Sequence, residues 1–293
     1  MSGSYTEADY EKSVMELFEG LGYTLLYGPD VERDVRSPLY DMVLEEQLWR
    51  LNPSLPNAAL TEALGQLRTI ENGALAQRNE IFMDYLQNGV PVRYFADGEE
   101  RSALVYLVDY KNPANNSFIA ANQWTVVENS EKRPDIILFL NGLPVVVIEL
   151  KSPAREETDA SEAYLQLRNY MQEIPSLFVY NAICVMSDMG TSKAGTITSD
   201  EERFMAWKTV DGSYENTAYA QFDTFFEGIF QPERLLDIIQ NFICFSNEGQ
   251  KSFKILAGYH QYFAVRRAIT STVRAAGSDG KNGDGKGGVF WHT

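Results

Sequence analysis

Glu149 and Lys151 stand one residue apart at the end of the apolar run Val145–Ile148, and Asp135 opens the apolar run before it, in the stretch PDIILFLNGLPVVVIELKSP (134–153). Side chains alternate along a strand, so Val145, Val147, Glu149 and Lys151 share one face while Val146, Ile148 and Leu150 share the other. The Cα atoms of Glu149 and Lys151 are then roughly 7 Å apart and the two charges project side by side. Charges on so apolar a strand are either solvated where it runs out or paired and bound to an ion. The second alternative has a definite chemistry, the hydrolysis of phosphodiesters. Two carboxylates on one face, with the Leu150 carbonyl, can hold one Mg²⁺ and leave positions for water and a phosphate oxygen. A lysine beside them can orient the nucleophile or stabilise the charge that builds on phosphorus.

Which face Asp135 takes depends on the connection between the two runs. A two-residue turn at Asn141-Gly142 pairs Asp135 with Ile148 and points it away from Glu149. A three-residue loop over 141–143 sets Asp135 opposite Glu149, with Pro144 as the first strand residue. The chemistry requires that odd loop or a bulge.

The elements that must position these residues can be read coarsely. YTEADYEKSVMELFEGLGY carries Val14, Leu17, Phe18 and Leu21 at helical spacing. PLYDMVLEEQLWRLNPSLPNAALTEALGQLRTI predicts two helices broken at NPSLP, and ALAQRNEIFMDYLQNG a third. From about residue 91 β-branched and aromatic runs predict strands in VPVRYF, SALVYLVDY and SFIAANQWTVVE, followed by the hairpin. DASEAYLQLRNYMQEI returns to helix, NAICVMSD and AGTITS predict strands, and 200–230 is read as irregular. PERLLDIIQNFICF and LAGYHQYFAVRRAITSTVRAA are helical, GSDGKNGDGKGG is a flexible link and GVFWHT is strand-like.

Bulk composition narrows the chemistry. The chain of 293 residues is 44% hydrophobic and 23% charged, in the range of globular proteins. It shows neither a signal peptide nor an apolar run long enough to span a bilayer, and a cytoplasmic location is expected. With Cys184 and Cys244 the only cysteines and His260 and His292 the only histidines, a thiolate or imidazole metal site is not expected. Any metal should be a hard cation on oxygen ligands. The net charge of −16 disfavours a protein that coats DNA by itself, since such affinity comes from phosphate neutralisation by Lys and Arg.

A Pro-Asp opening one apolar strand, a short turn and a second strand ending in Glu-x-Lys make Asp135, Glu149 and Lys151 resemble the PD-(D/E)xK nuclease pattern. Gln166 and Tyr170 add a Q-x-x-x-Y pair on one helical face. With RLNP near the front and GVFWHT at the end, the whole chain resembles the R subunit of type I restriction enzymes. The resemblance implies an α/β fold with a restriction-endonuclease-like mixed sheet flanked by helices, followed by the start of a RecA-like motor. Residues 1–245 would form the endonuclease domain and 246–293 a linker and the beginning of the motor. It further implies that Asp135 and Glu149 bind Mg²⁺, that Lys151 is catalytic, and that Gln166 and Tyr170 support the site or its grip on DNA. DNA and the methylation and specificity subunits are the implied partners. In this family the GVFWHT strand runs into a phosphate-binding loop. The sequence stops at Thr293, so no ATP hydrolysis is expected of this chain, although ATP serves the full-length subunit. Gln261 in GYHQYFAV resembles an adenine-reading glutamine, and equally suits the polar face of a helix. Glu7 or Glu11 could add a carboxylate from the first helix, or simply favour its N-terminus. Lys132 and Arg133 could touch phosphate or only solvate the hairpin. A stand-alone repair or junction nuclease of the same fold, and a non-catalytic docking module, are the rival readings.

Overall fold

The computed structural model describes residues 6–151, 160–188, 190–213, 222–249, 251–277 and 283–289. The chain enters through α1 (Glu7–Gly20), where the Thr6 hydroxyl accepts from the Asp9 N–H and the Asp9 carboxylate accepts from the Thr6 N–H. This reciprocal cap satisfies two of the free donors of the first turn. β1 (Thr24–Tyr27), α2 (Asp41–Leu51), α3 (Asn57–Arg68) and α4 (Leu75–Asn88) follow. Next come β2 (Val90–Ala96), β3 (Glu99–Val105), β4 (Phe118–Asn122), β5 (Val126–Val127), β6 (Glu131–Lys132), β7 (Ile136–Leu140) and β8 (Leu143–Leu150). The second half contributes α5 (Ala160–Glu173), α6 (Pro175–Val179), β9 (Ile183–Ser187), β10 (Ser192–Gly195), α7 (Phe222–Phe230), α8 (Pro232–Asn241), β11 (Ile243–Glu248), β12 (Lys251–Leu256) and α9 (Tyr259–Ala276).

Six strands form one mixed sheet in the order β1-β4-β7-β8-β9-β10, parallel at β1/β4 and β8/β9 and antiparallel elsewhere. Every residue of β7, β8 and β9 is buried, as expected where helices cover both faces. Ile136, Leu138, Ile148 and Leu150 join a core with α1, α4, α7 and α8, whereas Ile137, Phe139 and Val147 pack with α5. A mixed α/β sheet flanked by helices is therefore observed, in agreement with the sequence.

Several elements differ from expectation. β1 was not foreseen: it has four residues, and its partner β4 lies far along the chain. α7 falls in the stretch read as irregular, although Phe225, Phe226, Ile229 and Phe230 recur at helical spacing and are buried while Glu227 is exposed. The residues ICF, read as the end of a helix, begin the β11–β12 hairpin. SFIAANQWTVVE is broken into β4 and β5 by Gln123, whose φ is +55°. β10 spans Ser192–Gly195, earlier in the chain than the run AGTITS suggested. The last residues of GVFWHT lie outside the described residues.

The β11–β12 hairpin is tied to the body by Lys254. Its ammonium is buried and donates to Asn79 Oδ1 (3.0 Å) and to the Asn181 carbonyl (2.6 Å). Burial pushes this amine down to about 7.

The β7–β8 hairpin decides the site. Its turn has two residues, Asn141 and Gly142, both at positive φ (+52° and +82°), the geometry that joins twisted antiparallel strands. Pairing runs Leu140–Leu143 and Phe139–Pro144, then slips so that Leu138 pairs with Val146, Ile137 with Val147 and Ile136 with Ile148. Val145 is the extra residue of a β-bulge, and its carbonyl accepts from the Ala182 N–H of the neighbouring segment at 2.6 Å. The tip is fixed from outside. Asn141 Oδ1 accepts from the Ser117 N–H, and its amide donates to the Leu107 carbonyl and to Asn116 Oδ1. The Gly142 carbonyl accepts from Tyr40 N–H (2.9 Å), and a Cβ on Gly142 would lie 2.5 Å from Leu44 N. We expect Gly142→Ala to destabilise the fold by about 2–4 kcal/mol, through strain and backbone overlap together. Gly98→Ala, at φ +81° with nothing within 4 Å, should cost only about 1–2 kcal/mol. Chemical denaturation of the two variants checks the difference.

Candidate functional site

The bulge moves the register by one residue, and the pairing Ile136–Ile148 carries on to bring Asp135 beside Glu149. Asp135 Oδ2 accepts from the Leu150 N–H at 2.7 Å, just before the strand proper begins. Glu149 is 3% exposed on the α5 side of the sheet. Lys151 Nζ donates to Glu149 Oε1 at 2.7 Å. The second oxygen, Glu149 Oε2, is buried and has no hydrogen-bond partner among the described residues. The two-residue turn alone would have separated the carboxylates, and the bulge unites them.

Burial and the neighbouring Glu149 charge push Asp135 up to about 8, against the opposing Leu150 N–H and Lys151. Burial likewise raises Glu149, to about 6, although Lys151 and the Tyr170 hydroxyl oppose it. The pair therefore retains a proton near neutrality. Burial works against the Lys151 ammonium, but the Glu149 and Asp135 carboxylates outweigh it and its pKa is raised. Tyr170 is buried on α5. Burial and then the Glu149 charge raise its phenol, and the Gln166 amide one turn earlier opposes them. The Tyr170 hydroxyl is near enough to act on Glu149 without closing a hydrogen bond onto Oε2.

The structure thus brings together Asp135, Glu149, Lys151, Gln166 and Tyr170. Glu7, in the first turn of α1, lies close enough for its charge to act on Asp135, Glu149 and Lys151. Glu11 turns elsewhere, accepting from Asn122 Nδ2 (2.7 Å) and Gln123 Nε2 (2.9 Å). Lys132 sits in the short β6 and Arg133 is exposed just beyond it. Gln261 is in the first turn of α9, where its Oε1 accepts from the Gly258 N–H at 2.9 Å, an N-terminal cap. Among the described residues no group of three or more His, Cys, Asp or Glu side chains could hold a metal. The unpartnered Oε2 and the two carboxylates nonetheless suit a hard cation, which accepts backbone carbonyls and water as further ligands.

One group of residues gave no sign in the sequence. Tyr10 of α1, Ser187 at the end of β9 and Ser192 at the start of β10 form a buried row of hydroxyls, with Tyr10–Ser187 and Ser187–Ser192 oxygens each 2.6 Å apart. The Ser187 carbonyl accepts from the Lys151 N–H at 2.8 Å.

The geometry finds its context among known proteins. A family described as the type I restriction enzyme R protein N terminus matches residues 4–203. The endonuclease subunit of the type I restriction enzyme HindI from Haemophilus influenzae is 37% identical over 98% of this chain. That of SauCOLORF180P from Staphylococcus aureus is 27% identical over 71% of it. The chain belongs to the family of type I restriction enzyme R proteins, whose N-terminal region it matches. It spans only 28% and 21% of the length of these two relatives. No described helix is long and apolar enough to cross a membrane.

The paired carboxylates make a prediction without any ligand. Their folded pKa values lie above the ordinary carboxylate values near 4. The stability they contribute is complete below about pH 4 and is lost as pH rises through about 6 and 8. In metal-free buffer the melting temperature should therefore fall between pH 5 and pH 8 by this contribution. Asp135→Asn should flatten the fall and be the more stable protein at pH 8, as scanning calorimetry across that range would show.

Proposed function

We propose that this chain is the Mg²⁺-dependent endonuclease portion of a type I restriction enzyme R subunit, with a PD-(D/E)xK site. The observation that carries the reading is the bulged hairpin, which sets Asp135 beside Glu149 with Lys151 Nζ 2.7 Å from Glu149 Oε1. On this reading Asp135, Glu149 and the Leu150 carbonyl hold the cation, which supplies charge neutralisation and a more acidic water. The protein groups have separate tasks. Asp135 and Glu149 are held close together by burial and by the Leu150 N–H, so their arrangement is set before substrate arrives. Lys151 pairs with Glu149 in the metal-free state, and its ammonium is free to turn toward a phosphate oxygen or the nucleophile once the carboxylates are otherwise neutralised. Tyr170 and Gln166 support Glu149 from α5.

The longer protein would use ATP in RecA-like motor domains to move DNA, working with methylation and specificity subunits in the cytoplasm. A nuclease unit of residues 1–245 would end inside β11, so on this reading the unit runs on to the end of β12 at Leu256, with the motor beginning after it. The net charge of −16 fits a nuclease to which DNA is delivered by other parts of an assembly.

Asp135→Ala and Glu149→Ala should weaken Mg²⁺ or Mn²⁺ binding and abolish cleavage by the assembled enzyme. Lys151→Ala should abolish cleavage and leave cation binding near normal, because lysine contributes no ligand. Translocation should survive all three. Titration calorimetry and a plasmid cleavage assay separate these outcomes. Cleavage undiminished in Lys151→Ala would refute the site.

A further inference from the structure

We infer that Tyr10, acting through Ser187, is a positioning residue for the Lys151 ammonium; the inference rests on the nuclease reading above. Lys151 lies one residue past β8, where a strand no longer has a ladder on both sides to hold it. Its own N–H donates to the Ser187 carbonyl of the next strand at 2.8 Å, which fixes its backbone there. Ser187 is itself the last residue of β9, paired with Leu150. The fixed point is thus at the end of both strands, where ladders fray.

The hydroxyl row holds this end in place. Ser187 is fully buried, and its Oγ is 2.6 Å from the Tyr10 hydroxyl and 2.6 Å from Ser192 Oγ. Tyr10 is fully buried too, and its ring stands edge-on to Phe222 at 5.4 Å. The two short contacts of this row persist only if α1, β9 and β10 keep one mutual placement. The row lies on the α1 face of the sheet and Glu149 on the α5 face. Tyr10 therefore acts through the Ser187 backbone and not by touching the reacting groups. The side chain so steadied is the Lys151 amine, 2.7 Å from Glu149. Misplacing a catalytic group by about 1 Å can cost on the order of a hundredfold in rate.

Tyr10→Phe deletes the hydroxyl and keeps the ring. Tyr23→Phe is the matched control, since the buried Tyr23 hydroxyl donates to the Phe230 carbonyl at 2.7 Å, away from this row. In the full-length subunit assembled with its partners, Tyr10→Phe and Ser187→Ala should lower the maximal single-turnover cleavage rate by roughly tenfold or more, with KM for DNA unchanged. Tyr23→Phe should keep the wild-type rate. Amide hydrogen exchange at Lys151 should accelerate in Tyr10→Phe and not in Tyr23→Phe. A Tyr10→Phe enzyme with the rate and exchange of Tyr23→Phe, while Lys151→Ala is inactive, overturns this inference alone. An active Lys151→Ala overturns the nuclease reading and the inference with it.

Discussion

The arrangement of this site depends on one extra residue in one strand. Side chains on a strand alternate, so a shift of one position moves every side chain beyond it to the other face. The turn at Asn141-Gly142 alone would place Asp135 opposite Ile148. The bulge at Val145 makes the correction in mid-strand and sets Asp135 beside Glu149. Neither feature is free to drift. The tip is pinned by Asn141 and by the close approach of α2 to Gly142. The bulged carbonyl of Val145 is taken up by Ala182, so the irregularity leaves no unsatisfied acceptor in a buried sheet.

Bringing the carboxylates together has an energetic consequence. Two like charges in a poorly solvated place each raise the other's pKa, and Lys151 offsets only part of that field. In the metal-free site the pair relieves this repulsion by holding on to a proton, while the surrounding fold keeps the two groups together. Glu149 Oε2 without a partner is a further cost of the kind that persists where a ligand later supplies the missing interaction. Stability and readiness to bind a cation therefore pull in opposite directions at Asp135. A similar tension exists at Lys254, an amine held by Asn79 and the Asn181 carbonyl in a buried place. There the hydrogen bonds tie the last hairpin to the body of the fold.

Much of this was legible in advance, for local reasons. The periodicity of α1, the break between α2 and α3, and the β-branched runs of β7 to β9 are short-range signals, and the structure bears them out. The spacing of Glu149 and Lys151 fixed their shared face, and Gln166 and Tyr170 fall one helical turn apart on α5, toward Glu149. What could not be read had no local signal. β1 is defined by its partner β4; α7 differs, because its buried Phe225, Phe226, Ile229 and Phe230 do recur at helical spacing and the period was there to be read. The serines and the tyrosine of the hydroxyl row are ordinary residues until the fold makes them neighbours, Tyr10 and Ser187 being 177 positions apart.

The sequence by itself determined which chemistry was open to this protein. Carboxylates and a lysine on apolar strands, with hardly any histidine or cysteine, leave oxygen ligation as the plausible way to hold a metal. Whether Asp135 would face Glu149 remained open, because an even loop, an odd loop and a bulge all fit the same residues. Tertiary structure decided it. The register of a buried hairpin is set by what packs against its tip and both its faces, here α2, the Asn116–Asn141 network and the β9 backbone. Those contacts come from distant parts of the chain, and only folding brings them to bear on Val145.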